Sequence, residues 1–240
     1  VYTSRMAVTA TAVVLCCAAL AGCAGVGDAL ESNVDRDARD LVRESASLLR
    51  GADDIRIVGD QVLTAGRRVD FDLCVRQGRD YRGTFEMDGR AGEAIVVGGK
   101  SYLKAGAAFW EWAGTSLPDT AANRRTYADR YAMLAYDPSD PLDTAGVVFG
   151  PGGDGYTKGE PVTIDGRTLI PLTRVDGEGD AQGRRRSRTV YVRAYGKPYP
   201  VVVRSEGTRP QNARITRSER SCVPVAPPAG QVVDRLPAGK

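Results

Sequence analysis

The chain has 240 residues, 26 % charged and 42 % hydrophobic, a composition that suits one or at most two folded domains and excludes a wholly disordered chain. Its 33 basic and 30 acidic residues leave a net charge of +3, too small an excess to draw it to nucleic acid. It contains no histidine, which removes His-based acid–base catalysis, the Ser-His-Asp and Cys-His nucleophile systems and most transition-metal sites.

Residues 7–22 (AVTATAVVLCCAALAG) form an uncharged apolar run. The run is short for a transmembrane span and right for the apolar stretch of a signal peptide. It ends in Leu20-Ala21-Gly22-Cys23, which resembles the bacterial lipobox. That resemblance implies removal of residues 1–22, a diacylglyceryl group on the Cys23 sulfur, and a lipidated tether over residues 23–33. The alternative is an ordinary signal peptide that contains a cysteine. Arg5 is the only basic residue ahead of the apolar run, where such signals usually carry more. A buried acyl chain contributes about 0.8 kcal/mol per CH₂, and two chains hold where one is reversible. The expected location is the outer leaflet of the cytoplasmic membrane, with the folded part outside the cytoplasm.

Of the 5 cysteines, Cys16 and Cys17 leave with the signal segment and Cys23 takes the lipid. Cys74 and Cys222 remain. In an oxidising compartment they are read as a disulfide; the alternative is two separate buried thiols. Closing so long a loop stabilises by roughly 4–5 kcal/mol in the chain-entropy picture. Two distant cysteines without histidine make no metal site, and no cofactor is expected.

An amphipathic helix is predicted from Val34 to Arg50. Ala38, Leu41, Val42, Leu48 and Leu49 lie on one face, charged residues lie on the other, and Gly51 stops it. The period then changes to two. Strands are predicted over Asp54–Val62, Arg67–Gln77, Tyr81–Met87, Glu93–Val97 and Lys100–Ala105. Asp88-Gly89 and Gly98-Gly99 mark hairpin turns. Short helices are predicted over Ala107–Ala113 and Asn123–Leu134. Strands resume at Glu160–Ile164, Arg167–Val175, Thr189–Tyr195, Tyr199–Glu206 and Ala213–Glu219. Residues 176–188 read as a polar loop and 223–240 as a proline-rich extended tail, leaving 34–222 as the folded domain. One large antiparallel sheet with helices on one face buries both sets of apolar stripes.

Three stretches carry a resemblance. Ile95-Val96-Val97-Gly98-Gly99-Lys100-Ser101-Tyr102-Leu103-Lys104-Ala105 leads into Phe109-Trp110. Thr189-Val190-Tyr191-Val192 precedes the turn Gly196-Lys197-Pro198-Tyr199-Pro200. Ala226-Pro227-Pro228-Ala229-Gly230-Gln231-Val232-Val233-Asp234 closes the chain. In this order, with the lipobox, they resemble the LolA-like lipoproteins and lipoprotein carriers, and among them the actinobacterial LppX/LprA/LprF/LprG group. The resemblance implies an α+β fold: a curved antiparallel half-barrel sheet with helices packed on its concave face. It implies a non-enzymatic protein that binds a phospholipid or glycolipid in the apolar hollow and transports or presents it.

The lining residues proposed for that hollow are Phe71, Leu73, Val75, Phe85, Met87, Val96, Leu103, Phe109, Trp110, Tyr131 and Leu134. Plain core packing is the alternative for each. The corresponding alternative for the whole protein is a filled-core envelope lipoprotein that acts as a scaffold or sensor through protein contacts. Other signals are weaker. Gly98-Gly99-Lys100-Ser101 resembles the end of a phosphate-binding loop, but within a hairpin. Asp70 and Asp72 share a strand face with no sign of more than exposed polarity. Residues 150–155 lack calcium-ligand spacing. The Arg184–Arg188 run reads as a solvated loop or as a contact for anionic headgroups. Replacing the lipidated residue, Cys23→Ala, is expected to release the protein from membranes on fractionation; unchanged retention would remove the anchor.

Overall fold

The computed structural model describes residues 31–63, 66–77, 79–113, 125–134, 148–150, 154–176, 186–207 and 210–233. The signal segment, Cys23, residues 135–147 and Arg184-Arg185 lie outside them. Among the described residues, thirteen strands form one sheet. They are β1 (Ile55–Val62), β2 (Arg68–Arg76), β3 (Asp80–Met87), β4 (Arg90–Val97), β5 (Lys100–Ala105), β6 (Tyr131–Leu134), β7 (Thr157–Lys158), β8 (Val162–Ile164), β9 (Arg167–Asp176), β10 (Arg186–Arg193), β11 (Pro200–Glu206), β12 (Gln211–Arg217) and β13 (Val232–Val233). The spatial order is β13-β6-β5-β4-β3-β2-β1-β12-β11-β10-β9-β7, with β8 also on β9. Every pairing is antiparallel except β13 with β6.

Tight hairpins make the meander. Asp88-Gly89, Gly98-Gly99 and Asp165-Gly166 all take positive φ at both turn residues, the geometry that matches the twist of two-residue hairpins. The Gly98-Gly99-Lys100-Ser101 stretch is thus a hairpin that continues into a strand, without the following helix a phosphate loop requires.

Cross-strand register sorts side chains onto two faces. On the inner face, Ile57 stands opposite Leu73, Phe71 opposite Phe85, and Phe85 opposite Gly92. Helix α1 (Ala38–Arg50) covers part of this face with Leu41, Val42, Ser45, Ala46 and Leu49. Asp40 in its first turn and Arg50 in its last complement the helix dipole. These side chains join Ile55, Ile57, Val75, Ile170, Leu172, Val190, Val203 and Ile215 in the main core. Burying each Leu or Ile contributes roughly 1.5–3 kcal/mol. Helix α2 (Ala107–Ala113) builds a second core on the same face, with Phe109 and Trp110 against Ala105, Tyr127 and Ala132.

The observed elements differ from the expected ones in four places. Helix α1 begins at Ala38, because Asn33 and its neighbours are drawn into contact with the β10–β11 hairpin. Asn33 is fully buried: its Nδ2 donates to the carbonyls of Arg193 (3.0 Å) and Gly196 (2.7 Å), and its Oδ1 accepts from Arg36 (2.9 Å). The tether therefore ends before Asn33. The helix expected over Asn123–Leu134 is a single turn at 125–127 followed by β6. There Tyr131 and Met133 alternate with Ala132 to pair with β5 and β13. The arginine run is not all loop: Arg186 opens β10, and Arg188 is buried on the inner face, donating to the Val148 carbonyl at 3.3 Å. The described part of the tail, residues 223–233, is not extended throughout. After Ala229–Gln231, a 3₁₀ turn, it adds β13 to the sheet edge.

Cys74 and Cys222, at a sequence separation of 148, form a disulfide with Cα atoms 5.3 Å apart. Cys74 points from the outer face, opposite Arg56 and Arg82. Cys222 is fully buried, and its N–H donates to the Asp54 carboxylate at 2.5 Å. From this crosslink, residues 223–231 carry the chain to the far edge of the sheet. Replacing both cysteines by serine is expected to cost about 2–5 kcal/mol, read as a lower urea midpoint. An unchanged midpoint would show that the crosslink does not hold this strap.

Candidate functional site

Between the two cores the inner face is only partly covered. Phe71, Leu73 and Tyr81 are half-buried beside the main core, and Phe85 and Leu103 are half-buried beside the second. Met87 is also half-buried and stands opposite Val69 and Arg90. These half-buried side chains form one apolar stripe across β2–β5, the floor of the candidate trough. Its small residues are structural: a side chain at Gly92 would meet the ring of Phe85, which already lies over it. Phe109 of α2 walls the trough. Its ring stands edge-on to Phe85 at 5.5 Å, and it approaches Trp110 at 5.2 Å and Trp112 at 5.7 Å. Trp110 is buried deeper, with its indole N–H donating to the Ala105 carbonyl at 3.0 Å.

The structure does not bring all eleven lining candidates together. Val75 and Val96 are buried on the inner face, outside the half-covered stripe. Leu134 is the last residue of β6 and pairs with Ser101. Tyr131 lies on the opposite face, because it stands beside Lys104, one residue out of phase with Leu103. There it packs with Ile95 and Tyr102 under Val97, Met133 and Val232. Its hydroxyl donates to the Glu93 carboxylate at 2.8 Å. Burial, with the Glu93 contact adding to it, pushes its ionisation up to about 12.

One trough wall was not legible in the sequence. At the end where β3 turns into β4, Arg67 lies 4.2 Å and Arg90 5.3 Å from the Trp112 ring centre. The available signal was phase. Arg67 precedes Val69 by two residues, and Arg90 stands opposite Met87, so both arginines share the apolar face.

A separate cleft of about 1350 Å³ opens at the other end of the sheet, beside the disulfide. Its lining is mixed in charge and includes Arg56, Asp72, Arg82, Glu93, Arg217 and Glu219, and none of the eleven candidates. Arg56 clasps Asp72 with two hydrogen bonds of 2.8 and 2.5 Å, and this contact holds the Asp72 carboxyl below the usual carboxylate range. Asp70 pairs with Arg68 at 3.3 Å. The two aspartates are thus ion-paired surface residues rather than a catalytic couple. Among the described residues, no group of three or more His, Cys, Asp or Glu is placed to hold a metal ion.

No protein-family model matches the chain, and no curated protein matches it. It is similar in structure to LprF from Mycobacterium bovis, at 16 % identity, covering 81 % of this chain and 97 % of that one, with a TM-score of 0.47. It is similar to the Mycobacterium tuberculosis lipoprotein LppX, at 15 % identity, 79 % and 97 % coverage and a TM-score of 0.49. A LolA superfamily protein from Nitrosomonas europaea matches at 8 % identity, 80 % and 95 % coverage and a TM-score of 0.32. The expected single antiparallel sheet with helices on one face is the architecture observed.

The raised Tyr131 ionisation has a defined sign. The neutral phenol is favoured in the folded state, so its contribution is complete below the ordinary tyrosine range near pH 10. It is lost as pH rises through about 12. Ultraviolet titration is expected to show one late-ionising tyrosine that disappears in Tyr131→Phe; an unchanged titration curve would contradict the placement.

Proposed function

We propose that the chain is a lipid-anchored envelope protein that holds an acyl chain in the inner-face trough, without catalysing a reaction, and carries or presents that lipid at the membrane. The observation that carries this reading is the half-buried stripe of Phe71, Leu73, Phe85, Met87 and Leu103 between two helix-covered cores. A folded protein usually completes the cover over such a stripe or uses it. Transfer of a sixteen-carbon chain out of water is favourable by about 10 kcal/mol gross, so the trough needs no polar anchor for the tail. The lipobox at Leu20–Cys23 supplies the proposed attachment, and the Cys74–Cys222 disulfide fits an oxidising compartment.

Native mass spectrometry of residues 24–240 secreted into a bacterial periplasm tests the reading, followed by solvent extraction of bound material. A stoichiometric phospholipid or glycolipid adduct is expected. Met87→Lys, which sets a charge on the trough floor, is expected to lower its occupancy at least about tenfold. A bare protein mass, with no uptake of added fluorescent lipid, would replace this reading with a filled-core scaffold acting through protein contacts.

A further inference from the structure

We propose that Arg67, Arg90 and Trp112 form a clamp for a phosphate group carried by the lipid, set at the end of the trough; this rests on the acyl-chain reading above. Three observations converge on it. Both arginines lie on the apolar inner face, at the end where Met87 closes the stripe. Both guanidinium groups gather on one indole, at 4.2 and 5.3 Å from its centre. Neither forms an ion pair with a carboxylate among the described residues; Arg90 donates to the Asp88 carbonyl at 3.0 Å.

The neighbouring arginines behave differently. Arg68, next in sequence but on the outer face, lies 3.6 Å from Asp60 and 3.3 Å from Asp70. Arg56 is held by Asp72, and Arg214 by Asp165. These three outer-face arginines are paired with carboxylates, whereas Arg193 and Arg204 each lie over a tyrosine ring of their own; at the trough's end two cations share one ring. Two like charges at 4.2 and 5.3 Å from one ring centre repel each other, and an anion reached by both relieves the repulsion. A guanidinium over an indole can still offer N–H groups to phosphate oxygens; Arg90 uses one terminal nitrogen on the Asp88 carbonyl and has the other to offer. The trough takes the tail and the clamp takes the first charged group beyond it. The shared chemistry is a phosphate anion, and the apolar floor beside it selects the lipid-borne form.

The test uses the full-length protein in a non-ionic detergent. It is exchanged against mixed micelles holding equal amounts of dioleoylphosphatidylglycerol and dioleoylglycerol and read by native mass spectrometry. The wild type is expected to take the phospholipid over the neutral lipid by at least about tenfold. In the Arg67→Gln/Arg90→Gln variant the preference falls to near parity while uptake of dioleoylglycerol persists. Arg67→Lys/Arg90→Lys, which keeps both charges and loses the guanidinium fork, is expected to keep only part of it; full retention would reduce the clamp to charge alone. Should the double glutamine variant not fold, Arg90→Gln alone is expected to lose part of the preference. Equal uptake of both lipids by the wild type overturns the clamp and leaves the trough standing. So does a preference that survives in the glutamine variants. Uptake of neither lipid overturns the trough reading and the clamp with it. Displacement of the phospholipid by millimolar inorganic phosphate overturns the lipid-borne form of the proposal.

Discussion

The width of the sheet against the reach of its helices governs the rest of the structure. Twelve strands lie along one hydrogen-bonded path, which at about 4.8 Å between neighbours makes a sheet about 50 Å across before twisting. Helix α1 has 13 residues and is about 20 Å long. It covers β1 and the strands around β9–β12, where the inner-face residues are fully buried. Helix α2 has 7 residues and covers the β5–β6 end. Between them the middle of β2–β4 is covered only in part, by Phe109 against Phe85, and that is where Phe71, Leu73, Phe85 and Met87 stay half-covered. The trough follows from geometry, not from any special residue on its floor.

A sheet so incompletely covered must be held in shape from elsewhere. The two ends are treated differently. At the end where β1 begins, the chain is pinned three times: by the disulfide, by Asn33 against Arg193 and Gly196, and by Ser45, whose hydroxyl donates to the Pro198 carbonyl at 2.5 Å. The strap after Cys222 extends this hold across to the far edge, where Val232 and Val233 pair with Tyr131 and Ala132. Buried polar groups fully satisfied by backbone partners fix a register as well as adding stability. The opposite end is held over shorter sequence distances, by Arg188 on the Val148 carbonyl and Trp110 on that of Ala105. There the inner face ends in Met87, Trp112 and two arginines.

The strands were legible because period-two alternation and the hairpin dipeptides agree. Asp88-Gly89 and Gly98-Gly99 set the register of β3–β5, and period-two alternation puts Phe71 with Leu73 and Phe85 with Met87 on the apolar faces that the β2–β3 pairing then joins. Phase errors came where local signals were short. Around Tyr131 a helical turn passes into a four-residue strand within ten residues, and aromatic spacing fits either period over so brief a stretch. Reading it as one helix put Tyr131 on the wrong face. Arg188 looked solvated because its neighbours are arginines, yet the strand phase turns it toward the Val148 carbonyl. Arg67 and Arg90 were passed over for the same reason. A charge at a strand end reads as surface until a distant aromatic, here Trp112, is placed over it. That contact depends on how α2 folds back on the sheet, which no local pattern encodes.

The positions of the tether root and the trough's end constrain how such a protein works at a membrane. Asn33 is fixed beside the start of β11, at the pinned end, while the arginine pair lies at the other end of the strands. Strand β3 has 8 residues, so the two ends are separated by about 27 Å. With Cys23 as the proposed anchor, the eight residues from there to Glu31 span at most about 28 Å when fully extended. The tether is therefore about as long as the sheet is tall. A much shorter one would hold the pinned end against the bilayer and turn the arginines away from it. One of this length lets the domain tip over until Arg67, Arg90 and Trp112 meet the headgroup layer, where an indole and two cations are both favourably placed. The same geometry allows the domain to stand upright with that end directed outward. On the proposed function, loading from the membrane and presentation away from it would be two orientations of one rigid body, with no internal rearrangement of the sheet required for either.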